Sequence, residues 1–306
     1  MNVLHMKYAV EIAKAGSINK ASEVLLIAQP NLSRSIKELE ADLGITIFDR
    51  TAHGVHVTAD GEKFIGYAER ILNQIDHVEE IFKSDNAVKR KFSISVPRTS
   101  YISDAFTEFT KKIGSEAVEL FYKETNSSRA INNILHADYN LGIIRYAENY
   151  DKYFEQMLEE KGFVGELVTK FNYVITTSRH SPLASLKKIR FRDLQPYIEV
   201  AHADPYVPSL SLAQVKKEEL PDNTTRRILV FERASQFEVL SENHETFMWV
   251  SPAPDKLLKR YDLVQKECDE NKKIYKDVLI YRKDYKLSEL DRLFISELSK
   301  SKKEYF

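Results

Sequence analysis

The sequence predicts an α plus α/β fold class: a helical N-terminal part, one long helix, and an α/β region filling the rest of the 306 residues. Three observations carry that expectation. Ser17 to Leu43 holds two short amphipathic helices in direct succession. Thr58 to about Lys83 lacks proline and repeats Phe64, Ala68, Ile71, Ile75, Val78 and Phe82 at spacings of four and three. From Arg90 onward, short apolar runs alternate with helical patterns, as strands with covering helices do.

In the first of the tandem helices Ile18, Ala21, Val24 and Leu25 recur at helical spacing, and in the second Leu32, Ile36, Leu39 and Leu43 do. Each helix thus has an apolar stripe to bury against the other, which reads as a helix-turn-helix. Pro30 falls near the start of the second helix, where its missing N–H would have had no intrahelical partner. The remaining face carries Gln29, Asn31, Ser33, Arg34 and Lys37, side chains suited to base edges and phosphates in a major groove. Arg34 and Glu38, four apart, could instead form a surface ion pair. The stretch Thr51 to Thr58 alternates like a tight hairpin turning at Gly54, so the helix-turn-helix gains a wing, with Arg50 placed for a phosphate or minor-groove contact. The six-residue seam after it lies on a helix of roughly 40 Å. That is too long to be covered by a domain of about sixty residues, so it packs on a second copy of the chain or on the chain's own C-terminal region, and its strict spacing favours the copy.

An ordered run of residues carries a family resemblance: Ala15-Gly16-Ser17, Ala21, Leu25, Ala28-Gln29-Pro30-Asn31-Leu32-Ser33, Ile36, Leu39-Glu40, Leu43-Gly44, Phe48-Asp49-Arg50, and Val57-Thr58 with Gly61. It resembles the LysR-type transcriptional regulators; Asn19-Lys20, where a small residue is common before Ala21, is a departure on the outer side of the helix. The resemblance implies sequence-specific binding of double-stranded DNA, with Ser17 joining the DNA-facing set, and self-association as a dimer or dimer of dimers. It also implies a division into a DNA-binding domain at 1–58, a linker helix at 59–89 and a sensor domain at 90–306.

Composition agrees with such a protein and excludes others. The 43% hydrophobic content supplies buried cores, and the single Cys268 rules out an internal disulfide. No apolar run approaches membrane-spanning length and no signal-peptide pattern opens the chain, so a cytoplasmic protein without membrane partners is expected. The net charge of −1 is not that of a protein coating nucleic acid indiscriminately; DNA affinity must come from where charges point. There is no phosphate-binding glycine loop, nucleophile elbow or Cys/His metal spacing, and His53 and His56 of the wing lie near no ligand cluster. Neither an enzyme, a cofactor nor a metal is expected.

Beyond Arg90, strands are expected at Phe92–Val96, Val118–Tyr122 and Leu141–Arg145, then Phe171–Thr177, Tyr197–Val200, Arg227–Phe231, Thr246–Val250 and Val278–Arg282, forming mainly parallel sheets. The family resemblance implies two lobes like those of periplasmic binding proteins, lobe 1 at about 90–164 and 268–306 and lobe 2 at about 165–267. In such folds ligands sit at strand C-termini and helix N-termini. Those positions hold Thr99 and Ser100 after Arg98, Ser127 after Asn126, then Arg145 and His202, with Phe247 in a later strand. They are the candidates for a small effector, an anion if Arg145 faces it. Ser and Thr there could equally be helix caps, and Arg145 could equally serve a structural carboxylate. The bulk of Phe247 and Trp249 would narrow the cleft or fill it, and a domain that only assembles the oligomer is the competing reading.

Overall fold

A computed structural model describes residues 2–51, 54–83, 89–204, 206 and 225–305. The chain divides into an N-terminal unit that ends with the linker helix and an α/β unit that begins at Lys89. Among the described residues, no helix is long and apolar enough to cross a membrane.

The N-terminal unit opens with helix α1 (Val3–Ala15), capped by the Asn2 side chain and closed by Gly16 in the left-handed conformation. Helix α2 (Ile18–Leu25) starts on Ser17, whose side chain accepts from the Lys20 N–H. Leu26 makes the turn at φ 54° while 92% exposed. Helix α3 (Gln29–Leu43) carries Pro30 in its first turn and ends on left-handed Gly44. Ile12, Ile18, Ala21, Leu32, Ile36 and Leu39 meet Ile47 and Phe48 in one core. Val24 does not join it. It lies six positions after Ile18, off the shared face, and is exposed, while Ser22 takes the buried place.

Strands β1 (Phe48–Thr51) and β2 (Gly54–Val57) pair antiparallel, Phe48 opposite Val57 and Thr51 opposite Gly54. The wing is therefore a ribbon in which Gly54 is a paired strand residue and not the turn; the connecting Ala52 and His53 lie outside the described residues. Two side chains lock it down. Glu40 of α3 accepts from the backbone N–H groups of Ile47 and Phe48 at 2.7 and 3.1 Å. Thr58 donates to the Thr46 carbonyl at 2.6 Å and accepts from Gly61 N–H at 2.9 Å, capping helix α4 (Ala59–Lys83). Gly61 is required there, because a Cβ would fall 2.2 Å from the Ile47 carbonyl oxygen.

In the α/β unit one sheet has the order β4-β3-β5-β12-β6, from Val118–Glu124, Arg90–Val96, Leu141–Ala147, Ile274–Arg282 and Phe163–Asn172. The other has the order β11-β7-β10-β8-β9, from Leu263–Lys266, Val174–Ser178, Thr246–Val250, Ile198–His202 and Arg227–Val230. Two expectations are corrected. The second lobe does not begin near Gly165: Phe163–Asn172 pairs with β12 in the first sheet, and the break at Tyr173 splits what reads in sequence as a single strand at 171–177. The sheets are mixed, not mainly parallel. β3 runs parallel to β4 and β5 and β8 to β9 and β10, but β12 is antiparallel to both its neighbours and so is β7. The first strand after each chain crossing, β7 and then β12, runs antiparallel to its neighbours, and sequence periodicity does not carry that information. Helices α5 (Ser100–Thr110) and Glu289–Tyr305 pack on the first sheet around Phe92, Phe109 and Phe294.

Candidate functional site

Two places in the chain gather the side chains singled out above. The first is the outer face of α3. Burial of Leu32, Ile36 and Leu39 turns Pro30, Asn31, Arg34 and Lys37 to solvent, with Gln29 and Ser33 half-buried beside them. Arg34 makes no ion pair with Glu38 among the described residues, so its charge is available to a ligand. Ser17 acts locally as the cap of α2. The backbone of Arg50 lies in β1, opposite Val55; its side chain lies outside the described residues, as does that of Phe82.

The α4 seam divides. Ala68 is buried against Met6 and Val10 of α1, with Leu72 beside it and Phe64 half-buried on the same cluster. Those two seam positions are thus used within the chain, because the first half of α4 lies along α1 in the same unit. Ile71 and Val78 are exposed and Ile75 half-buried, so the second half keeps an apolar stripe uncovered in one chain.

The second place is a cavity of about 140 Å³ at the C-terminal ends of strands from both sheets, reached by Arg98, Ser127, Arg145, His202 and Trp249. Of the expected effector residues, Ser127, Arg145 and His202 line it, and three do not. Phe247 is the second residue of its strand, three short of the strand's end at Val250, and is buried in the second lobe's core with Ile175 and Leu183. Thr99 and Ser100 turn toward a separate recess of about 10 Å³, where Thr99 Oγ1 lies 2.5 Å from Ser251 Oγ and Ser100 Oγ accepts from Arg233 at 3.3 Å.

Arg145 is not free for an anion. Its Nε and Nη2 donate to the two oxygens of Asp277 at 2.7 and 2.6 Å, and its guanidinium lies 4.7 Å from the Phe171 ring. Asp277 is fully buried and sits directly opposite Arg145 in the β5–β12 register. Burial works against the Arg145 charge, but the Asp277 carboxylate more than offsets it and raises the pKa. Tyr101 donates to the same carboxylate at 2.6 Å, and burial followed by Asp277 pushes its hydroxyl well above the usual range. Ser127 is also engaged, donating to the Arg145 carbonyl at 2.7 Å and accepting from its N–H at 2.9 Å. Arg98 is held by Asp204 at 2.8 and 3.3 Å, and Arg129 reaches the same carboxylate at 3.2 Å. His202 has its pKa held down at about 4, by burial first and then by the Arg98 charge, so it is neutral at pH 7. The Nδ1 of His202 is buried without a hydrogen-bond partner among the described residues.

Sequence reasoning missed Asp204 and Asp277 and the tyrosines Tyr150, Tyr173 and Tyr206 that line the cavity. Asp277 had a signal, a lone carboxylate inside the run Ile274–Arg282; only strand register names its partner. Among the described residues no group of three or more His, Cys, Asp or Glu could hold a metal.

Residues 3–62 match the family model described as bacterial regulatory helix-turn-helix protein, lysR family. The HTH-type transcriptional regulator YcgK of Bacillus subtilis is 43% identical over 98 residues, 32% of this chain and 30% of that protein. The HTH-type transcriptional regulator AlsR of the same organism is 27% identical over 207 residues, 66% and 65% of the two chains. The match thus spans less than two thirds of either relative's length. In fold, full-length CbnR complexed with its target DNA is similar with a TM-score of 0.59 at 17% identity, covering 98% of this chain and 100% of that one. Both curated relatives are named as transcriptional regulators, not enzymes.

Proposed function

We propose, for a chain that belongs to the LysR family of bacterial helix-turn-helix regulators, that it controls transcription by binding specific double-stranded DNA sites. The chain does so as a cytoplasmic dimer, or dimer of dimers, whose DNA affinity a small effector sets from the cavity between the lobes. The observation that carries the DNA reading is the outer face of α3, where Asn31, Arg34 and Lys37 stand exposed next to a two-stranded wing. A helix with that chemistry at its N-terminal half enters a major groove, and a wing reaches the adjoining backbone. The similarity of fold to CbnR, solved with its target DNA, supports docking of this kind. The uncovered Ile71, Ile75 and Val78 support pairing along α4. Footprinting with the full chain on the DNA upstream of its own reading frame tests the proposal; a protected pair of half-sites is expected, and equal affinity for random duplex at every salt concentration would refute it.

A second reading, in which the α/β unit only assembles the oligomer, is favoured by the bonds that tie the lobes together. Besides Arg98–Asp204 and Thr99–Ser251, Arg233 pairs with Glu124 at 2.8 Å and Lys256 with Asp104. Such a scaffold has one lobe arrangement, and a ligand that cannot prefer one arrangement over another transmits nothing to the DNA-binding unit.

A further inference from the structure

The two arginines that line the cavity between the lobes are each paired from within. Arg145 is taken by Asp277, and Arg98 and Arg129 share Asp204. An incoming carboxylate would have to expel Asp204 or enter a low-dielectric space without a counter-charge, and both cost free energy. What the cavity offers instead is aromatic surface: Trp249, Tyr150, Tyr173 and Tyr206 line it, and the Tyr173 ring is itself backed by Tyr275 at 4.1 Å between centroids. Flat rings stack on such walls in offset or edge-on arrangements. Its volume of about 140 Å³ matches the ~150 Å³ of a protein cavity that accepts one benzene molecule. His202, which lines the same space, supplies the polar handle.

Resting on the reading of the cleft as an effector site, we propose that its ligand is an uncharged single-ring aromatic molecule with one hydrogen-bonding group directed to His202. In the same proposal Asp204 acts as a built-in anion that occupies Arg98 and Arg129 and so excludes carboxylate ligands. This reverses the class of ligand that an arginine at a strand end implies on sequence grounds.

The test uses the full chain at pH 7 with four probes, phenol, benzamide and 2-hydroxypyridine against benzoate, read by thermal shift and calorimetry. At least one uncharged probe is expected to bind saturably and raise Tm, at least tenfold more tightly than benzoate, and His202→Phe is expected to weaken it severalfold. Asp204→Asn, which keeps the shape and removes the charge, is expected to gain at least tenfold in benzoate affinity while the uncharged probe is unchanged. Wild-type protein binding benzoate as tightly as benzamide overturns the ligand class and leaves the effector site standing. Binding of none of the four by either protein overturns both. The wild-type comparison decides the class whether or not the variants fold.

Discussion

Gln29 sits half-buried at the first position of α3, and its amide can donate and accept in one plane, as a base contact requires. Gln29→Ala is therefore expected to cost about 1–3 kcal/mol of specific affinity with little change on random duplex; competitive gel shifts check it, and equal losses on both DNAs would remove Gln29 from base readout. Arg145 teaches the opposite lesson. Its chemistry is complete without a ligand, because Asp277 and Tyr101 satisfy it inside the protein. Removing Asp277 alone leaves a buried guanidinium without its counter-charge. Asp277→Ala is expected to lose about 3–5 kcal/mol of stability, whereas Arg145→Met combined with Asp277→Leu loses much less, as denaturant titration of the two variants will show. Similar losses for single and double variants would mean that the pair is not what the site depends on.

At the scale of elements, α4 keeps an apolar stripe uncovered in a single chain. Its first half is consumed by α1 through Ala68 and Leu72, and its second half carries Ile71, Ile75 and Val78 on a stripe that water would otherwise wet. Putting a carboxylate into that stripe on both copies opposes two charges in a desolvated seam. Ile71→Asp or Ile75→Asp is expected to give a folded monomer that no longer binds a two-half-site operator. Light scattering and gel shift measure both, and an unchanged oligomer would mean that the stripe is covered elsewhere. Ala68→Asp should instead unfold the N-terminal unit, because Ala68 is buried within its own chain. The helices were legible in the sequence because each buries one stripe with a period near 3.6, and α4 in the structure spans Ala59–Lys83 as that spacing requires. Val24 departs from that period, because six positions after Ile18 the helix has turned it to another face and left it exposed.

The whole α/β unit is a pair of mixed sheets held by cross-lobe contacts at Arg98, Thr99 and Arg233, and His202 lies beside the first of them, the Arg98–Asp204 pair. In the folded chain its pKa is held at about 4, against about 6.5 unfolded. Between those values the unfolded chain binds a proton that the folded chain refuses, so stability rises with pH across this window and falls on acidification. Wild type is expected to lose about 1 kcal/mol per pH unit more than His202→Leu between pH 6 and 4.5, measured by denaturant unfolding at several pH values. Parallel curves for the two proteins would mean that the imidazole stays as solvated as in the unfolded chain.

The sequence by itself determined most of the helix-turn-helix unit, since it is built from contacts close along the chain that are largely written as a period, a cap or a glycine. Ser17, Pro30 and Gly44 hold the backbone where local chemistry alone demands it, and Gly61 where α4 passes the Ile47 carbonyl. The effector candidates were half legible. Ser127, Arg145 and His202 reach the cavity because strand C-termini gather at one edge of each sheet, a rule of the fold. Only the tertiary structure decided that Phe247 is core, that Thr99 and Ser100 face another recess, and that the arginines are neutralised. Asp277 is 132 residues from Arg145 and Asp204 is 106 from Arg98, and ion pairs of that separation are set by strand register and chain crossings, which leave no local trace.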